Sequence, residues 1–502
     1  VSAGWVVDAA LDFLAAFDWF VLSYFLLLNT GYLMLLCLAS LEFARHLRRL
    51  PFAGYDETYA SPLTLPVSVI VPAFNEGPGI VEAVRAMLAL RYPEFEVLVI
   101  DDGSSDDTYA RLEQAFDLVE VPRVVVDDVP VTGRVIDVSV PRSSLPLVVV
   151  RKENGGKADA LNTGINIARY PLVCMVDADS VLDPEALITV SKPFADDPER
   201  VVATGGVVRA ANGCTIVGGR IVEVRMPATW LARIQVVEYL RAFLMGRTGW
   251  SRLGALAIIS GAFGLFRRDI LLEVGGLAHG CIGEDADLVI RIHGHLRRQR
   301  RPYRVVFVAE PVAWTEVPTS LSVLARQRRR WHRGLAQTLW RNRSMMMNPR
   351  YGRIGLLTLP YYLVFELLAP LVELVGIAAA VLGLAVGAVN MPFAVLFVSV
   401  ALAFAIWLSI AALALEEFSF HRYHRWRDLG LAVACSFIEN LGYRQLTAVW
   451  RLQGLWAEVK GARVEWGTMT RQGFGIAPVG DAGELAVADA TATGARSSGQ
   501  RP

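Results

Sequence analysis

The chain is 502 residues long, 54% hydrophobic and without net charge, and its mean hydropathy is +0.39. That length allows more than one domain, and the apolar share points to a membrane protein. Zero net charge gives no electrostatic footprint for nucleic acid, and five scattered cysteines without a Cys-x-x-Cys pair argue against a disulfide framework or zinc site and fit a reducing compartment.

Residues 1–16 are apolar, with Asp8 and Asp12 four apart, the pattern of a helix lying in the membrane interface. Residues 19–41 contain no charge and are long enough to cross a bilayer as a helix. The amino end lacks basic residues and no small-residue cleavage site follows, so this segment reads as an anchor and not as a signal peptide. Asp8, Asp12 and Asp18 precede it, while Arg45, His46, Arg48 and Arg49 follow it. Basic residues favour the cytoplasmic side, which places the chain beyond residue 45 in the cytoplasm, beneath the cell (inner or plasma) membrane.

Residues 66–320 read as a soluble α/β domain. Residues 67–71 and 97–100 are short β-branched runs, and residues 79–90 between them carry helical periodicity. Further strands are predicted at 147–150, 172–176 and 201–204, with helices at 155–168 and 183–190. Strand, helix, strand at this spacing predicts βαβ units and a mostly parallel sheet. Residues 119–146, rich in Val, Asp and Pro, are expected to form an irregular insertion at the sheet edge.

The loops after these strands carry the chemistry, since open α/β sheets bind ligands at the carboxyl ends of their strands. After the first run comes Pro72-Ala73-Phe74-Asn75-Glu76, and after the second Asp101-Asp102-Gly103-Ser104-Ser105. A carboxylate there can accept hydrogen bonds from a base or a ribose. In Asn154-Gly155-Gly156-Lys157 the glycines let backbone approach a ligand, and the lysine supplies a point charge for phosphate. In Asp177-Ala178-Asp179, alternation puts both carboxylates on one side of an extended chain. Such a pair suits Mg²⁺ or Mn²⁺, whose shell diphosphate oxygens and water complete. Singly, each stretch has a plainer reading as a turn or loop. Their conjunction at successive strand ends favours a nucleotide-diphosphate site.

Two later stretches extend the set. Glu284 and Asp285, after Gly283, open an amphipathic run ending near Arg291, although acidic residues in a first helical turn also suit the helix dipole alone. Gln327-Arg328-Arg329-Arg330-Trp331 reads either as a membrane-surface helix, with Arg341, Arg343, Arg350 and Arg353, or as a clamp. In the clamp, arginine holds a diphosphate and the indole stacks on a sugar face.

The ordered set Asp102, Asp177/Asp179, Glu284-Asp285 and Gln327/Arg330/Trp331 resembles the family-2 inverting glycosyltransferases with a GT-A fold. Within them it is similar to the membrane-embedded processive branch of cellulose, hyaluronan, chitin-oligosaccharide and poly-N-acetylglucosamine synthases. The resemblance implies that Asp102 holds the uracil of a UDP-sugar and that Asp177 and Asp179 serve the UDP–metal complex. It implies a general base at Asp285 with Glu284 beside it, and donor contacts from Pro72, Phe74, Glu76, Asp101 and Lys157. Gln327, Arg330 and Trp331 fall at the diphosphate and acceptor end, and Ser260-Gly261 begins the acceptor-side loop. Gly283 departs from the Thr usual before Glu-Asp in the cellulose and poly-N-acetylglucosamine synthases, which leaves the base intact and the sugar open.

The implied activity is processive, inverting polymerisation of a UDP-sugar into an extracellular polysaccharide, with help in translocating it. A single carboxylate base suffices for direct displacement, whereas retention would need a second, nucleophilic carboxylate. The alternative is a non-processive enzyme glycosylating a lipid carrier, which needs the donor motifs without the Gln327/Trp331 clamp. A non-enzymatic scaffold is disfavoured because Asp102, Asp177, Asp179 and Asp285 are all present. Implied partners are the UDP-sugar, a growing polysaccharide or glycolipid acceptor, membrane lipid, and accessory membrane or export subunits.

The carboxyl half returns to the membrane. Residues 374–415 carry no charge, and turn residues at 387–392 split them into expected spans at 370–388 and 392–415. His421, Arg422, His424, Arg425 and Arg427 follow, again on the inside. Residues 429–450 are apolar but include Glu439, Asn440, Arg444 and Gln445, so they form an interfacial or re-entrant segment or a third span. Glu366 and Glu373, seven apart, share a helix face and either reach the headgroup region or line the start of a sugar path. Residues 476–502 are expected to be disordered. The expected domains are a membrane anchor at 1–50, a cytosolic GT-A domain at 51–335, interface helices and a membrane hairpin at 336–460, and a cytosolic tail at 461–502.

Overall fold

The computed structural model describes residues 2–49, 54–217, 219–385, 387, 391–420 and 425–462. Helix α1 (Ser2–Arg49) is uninterrupted, so the interfacial segment and the span expected separately form one helix. The β-branched runs that follow become strands because both their faces are covered. In β1 (Val67–Ala73) the side chains of Val67, Val69, Ile70 and Val71 are fully buried, each contributing roughly 1.5–3 kcal/mol. The same holds for β2 (Phe95–Asp101) and, past the edge strands β3 (Leu118–Glu120) and β4 (Val135–Pro141), for β5 (Leu147–Lys152).

Helix α2 (Lys157–Ile167) packs so closely on this layer that a Cβ at Gly164 would lie 2.3 Å from Ile70. It leads into β6 (Leu172–Val176), β7 (Val181–Leu182) and β8 (Val201–Ala210). A small hairpin, β9 (Thr215–Val217) with β10 (Arg220–Glu223), stands apart. Strands β11 (Phe263–Arg267) and β12 (Arg304–Thr315) complete a ten-stranded sheet ordered β3-β4-β5-β2-β1-β6-β11-β8-β12-β7.

The expected parallel βαβ array is the middle of this sheet, β5-β2-β1-β6, and β8 pairs β12 in parallel as well. The remaining ladders are antiparallel, so the sheet as a whole is mixed. The segment 119–146 does lie at the edge, but it contributes two antiparallel strands and is not irregular throughout. The antiparallel entry of β11 positions the site. Its register sets Phe263 against Val176, which brings residues 260–262 beside the Asp177-Ala178-Asp179 turn.

Helices α3 (Glu284–Arg298) and α4 (Leu321–Arg341) cross at a pair of glycines. A Cβ at Gly283 would meet Thr338 Oγ1 at 2.9 Å and the Gly334 carbonyl at 3.0 Å. Gly283, the residue before the acidic pair, is therefore what lets the start of α3 pack this closely on α4.

Among the described residues, three stretches are long and apolar enough to cross a membrane: Trp19–Arg48, Ile354–Ala385 and Ala394–Phe418. The second begins earlier than the expected span, running through π-helical turns into α5 (Ala369–Ala385), and α6 (Met391–Phe420) carries the third. Residues 429–450 are no single helix. They are divided between α7 (Trp426–Ile438) and α8 (Arg444–Val459) by non-helical Leu441 and by Gly442 at φ 92°. Glu366 and Glu373 are braced by α8, through Arg451 at 3.5 Å and Arg444 at 3.6 Å. Two ion pairs tie the region before α3 to these helices: the buried Arg209 to Glu416, and the partly exposed Arg241 to Glu439 with Ser409 between. His421, Arg422, His424 and the tail 476–502 lie outside the described residues.

Candidate active site

The carboxyl ends of β1, β2, β5 and β6 open on one side because those strands are parallel. The first two loops are locked together. Asp102 N–H donates to the Ala73 carbonyl at 2.9 Å, and Asn75, at φ 55°, accepts at Oδ1 from Ser105 N–H at 2.8 Å. Glu76 N–H donates to Thr108 Oγ1. Pro72 is half-buried and Phe74 exposed on this rim. Asp101 is buried and accepts from Ser104 N–H at 3.1 Å; burial raises its pKa above the usual carboxylate value.

Asp102 lies at the carboxyl end of β2 and is bonded on both of its oxygens. Both its oxygens turn inward. Lys152 Nζ lies 2.6 Å from Oδ1, which also takes the Gly155 N–H at 3.0 Å, and Oδ2 takes the Gly156 N–H at 2.7 Å. Asp102 thus fixes the glycine loop that starts α2. Lys152 is fully buried and makes a second bond of 2.7 Å to the fully buried Asp159. Asp159 in turn accepts the backbone N–H groups of Thr132 and Gly133. Burial works against its charge, but Lys152 and these donors hold its pKa below the ordinary value.

Lys157, the first residue of α2, sits at the centre. Its Nζ is 2.5 Å from Asp177 Oδ1 and 3.7 Å from Glu284 Oε1. Burial alone would lower its pKa, but Asp177, Glu284 and Asp285 overcome that and raise it, so the ammonium is fixed. Burial pushes Glu284 up to about 7; Lys157 opposes the shift and Asp285 reinforces it. Asp285 Oδ2 accepts the Gly261 N–H at 3.1 Å, and its Oδ1 the Ala286 N–H at 2.8 Å. A Cβ at Gly261 would stand 3.1 Å from Lys157 Nζ. The Ser260-Gly261 turn therefore touches lysine and acidic pair at once. Asp177 and Asp179 are both partly exposed beyond β6.

From α4, Gln327 is buried with its Oε1 lacking a hydrogen-bond partner among the described residues, and Trp331 is 43% exposed. The Arg328 guanidinium lies 4.6 Å from the Trp331 ring and is paired with Glu238 at 2.7 Å. Arg330 is half-buried on the same turn. The structure thus assembles Lys157, Asp177, Gly261, Glu284 and Asp285 into one polar cluster, with Ser260 beside Gly261 and Asp179 beside Asp177 on their turns.

Residues 65–334 match Glycosyltransferase like family 2. The chain belongs to this family. It is 28% identical over 276 residues to the poly-beta-1,6-N-acetyl-D-glucosamine synthase of Staphylococcus aureus strain COL, covering 55% of this chain and 56% of that one. The Staphylococcus epidermidis synthase matches to the same extent. The chain spans about half the length of the curated relatives it matches. Among solved structures, a mannosyltransferase from Pyrobaculum calidifontis, in complex with GDP-Man and Mn2+, aligns with a TM-score of 0.49 and 21% identity, over 84% of this chain and 99% of that chain. TarS from S. aureus aligns with a TM-score of 0.34 and 18% identity, over 55% of this chain and 39% of that chain.

As a family-2 glycosyltransferase, the chain has a GT-A-like mixed α/β domain and three candidate membrane helices. The sequence analysis did not single out Lys152 and Asp159, which together with Asp102 hold the Gly155-Gly156 loop. The signal was present in the alternation of β5, where Lys152 shares a face with the buried Val148 and Val150.

Proposed function

We propose that this membrane glycosyltransferase polymerises the sugar of a UDP-sugar into a polysaccharide by inverting transfer, and passes the product outward through its membrane part. The observation that carries the reading is the contact of Gly261 with both Lys157 and Asp285, which puts a fixed cation and a held carboxylate on either side of one backbone turn. Asp285 acts as general base toward the acceptor hydroxyl, a role worth about 10²–10⁴-fold in rate. Glu284 keeps Lys157 in place beside it. Lys157 and Arg330 offset the charge that grows on the departing diphosphate.

A divalent cation fits Asp177 and Asp179, two partly exposed carboxylates on one turn, because Mg²⁺ or Mn²⁺ uses one or two such ligands with phosphate oxygens and water. When bound there it supplies electrostatic stabilisation of the leaving diphosphate. Asp101, Pro72, Phe74 and Glu76 border the nucleoside, while Asp102 holds the loop beneath it. Trp331 stacks on the acceptor sugar and Gln327 donates or accepts at its hydroxyls. N-acetylglucosamine is the first sugar to test, since the staphylococcal relatives are named for its polymer. Purified protein in vesicles, given UDP-N-acetylglucosamine and Mg²⁺ or Mn²⁺, should release UDP and yield long polymer. A single sugar on a lipid carrier would select the non-processive reading.

A further inference from the structure

Arg247 ends a π-helical run, Leu240–Arg247, that packs against α1, α6 and β8. Such turns recur at functional sites because the looser winding re-aims side chains. The Arg247 guanidinium stands 3.7 Å from the centre of the Phe243 ring, yet its Nη1 is buried and has no hydrogen-bond partner among the described residues. A buried donor left unpaired costs about 1–3 kcal/mol, so a position of this kind calls for a ligand. The charged and titratable groups within its electrostatic reach are Asp285 from α3, Tyr362 from the second membrane stretch and Tyr239 from the preceding helix.

The rings form a row. Phe243 lies 5.6 Å from Tyr239, and Tyr239 lies 6.5 Å from Trp331 on α4. The row ends at Trp331, over whose ring the Arg328 guanidinium lies, and Tyr239 is within electrostatic reach of Asp179 in the acidic cluster. Aromatic faces with one buried, outstretched donor match a carbohydrate: the rings take its apolar faces and the N–H takes a hydroxyl.

We propose that Arg247 is an acceptor-binding residue: its Nη1 donates a hydrogen bond to a hydroxyl of the terminal acceptor sugar, held against Tyr239 and Trp331, and so keeps the attacking hydroxyl facing Asp285. This rests on the reading of the chain as a polysaccharide-forming enzyme. It adds a contact on the membrane side of the cluster that the donor motifs do not supply.

The test uses the full chain in lipid nanodiscs with Arg247→Gln, Arg247→Lys and Phe243→Leu. Binding of a β-1,6-linked N-acetylglucosamine oligosaccharide is followed by tryptophan fluorescence, UDP binding by calorimetry, and transfer by UDP release. Arg247→Gln should raise the acceptor KM and Kd by about 10–100-fold, the worth of one hydrogen bond to a charged group, with the UDP Kd within about twofold of the parent. Arg247→Lys should recover part of the acceptor affinity, and Phe243→Leu should weaken it less than Gln does. Unchanged acceptor affinity in both arginine variants overturns the assignment, as does an equal loss of UDP affinity, which would make Arg247 a diphosphate contact. If the Gln variant loses its cooperative melting, the Lys variant decides by the same readouts. A parent that releases no UDP from any nucleotide sugar overturns the functional reading instead, while oligosaccharide binding without turnover still tests Arg247.

Discussion

Replacing Lys152 with Met removes the cation that, through Asp102, holds the Gly155-Gly156 loop. Its Nζ sits 2.6 Å from Asp102 and 2.7 Å from Asp159, and all three side chains are buried. Methionine fills much the same space but leaves two buried carboxylates facing each other. Removing one partner from a buried ion pair costs about 3–5 kcal/mol. At about 2–4 °C per kcal/mol for a large domain, the melting midpoint should fall by roughly 6–20 °C. The effect should also reach the ligand, because Asp102 is what fixes the Gly155 and Gly156 N–H groups ahead of Lys157. Thermal melting by tryptophan fluorescence and UDP titration on the same preparation read both. Lys152→Met with Asp159→Asn, which removes one of the two stranded charges, should regain part of the melting temperature. A Lys152→Met protein that melts within about 2 °C of the parent and binds UDP equally well would refute the argument.

Asp179→Asn should abolish turnover, and chelation should do the same to the parent, with activity returning on adding Mg²⁺ or Mn²⁺; full activity in chelator would remove the metal from the account. Glu284 has its pKa raised from the ordinary 4.5 to about 7, so its contribution to stability is complete below about pH 4.5 and is lost as pH rises toward 7. Glu284→Gln should therefore gain melting temperature relative to the parent between pH 5 and pH 8, and a difference that does not change with pH would contradict the assignment. Gly283→Thr should lower stability by about 1–3 kcal/mol through overpacking against Thr338 and Gly334, with Thr338→Ala relieving part of it. An unaffected Gly283→Thr protein would show that the α3–α4 crossing can widen freely.

The loops at the strand ends were legible in the sequence because each follows a local apolar run that stops at polar residues. Asp177 and Lys157 could be named from such breaks, whereas the Glu284-Asp285 pair took its role from the family resemblance. Ser260-Gly261 came only through the family resemblance, since its place beside Asp177 depends on β11 running against β6, a pairing across more than eighty residues. Lys152, Asp159 and Arg247 were not read, because burial gives them their roles and burial is a property of what surrounds a residue. Asp102 was identified from its place after β2, while its bonds to Lys152 and the glycine loop come from the fold. The sheet was expected to be mostly parallel because βαβ spacing is a local signal, whereas the antiparallel strands β4 and β11 follow segments without clear periodicity.

The most direct test compares the parent and Asp285→Asn in sealed vesicles supplied with UDP-N-acetylglucosamine and Mg²⁺ or Mn²⁺, sizing the product while measuring UDP affinity. The account predicts long polymer from the parent, and from Asp285→Asn an unchanged UDP affinity with transfer reduced about 10²–10⁴-fold. An Asp285→Asn enzyme that still elongates polymer at the parent rate, or that loses UDP binding while its residual chemistry stays intact, would contradict it.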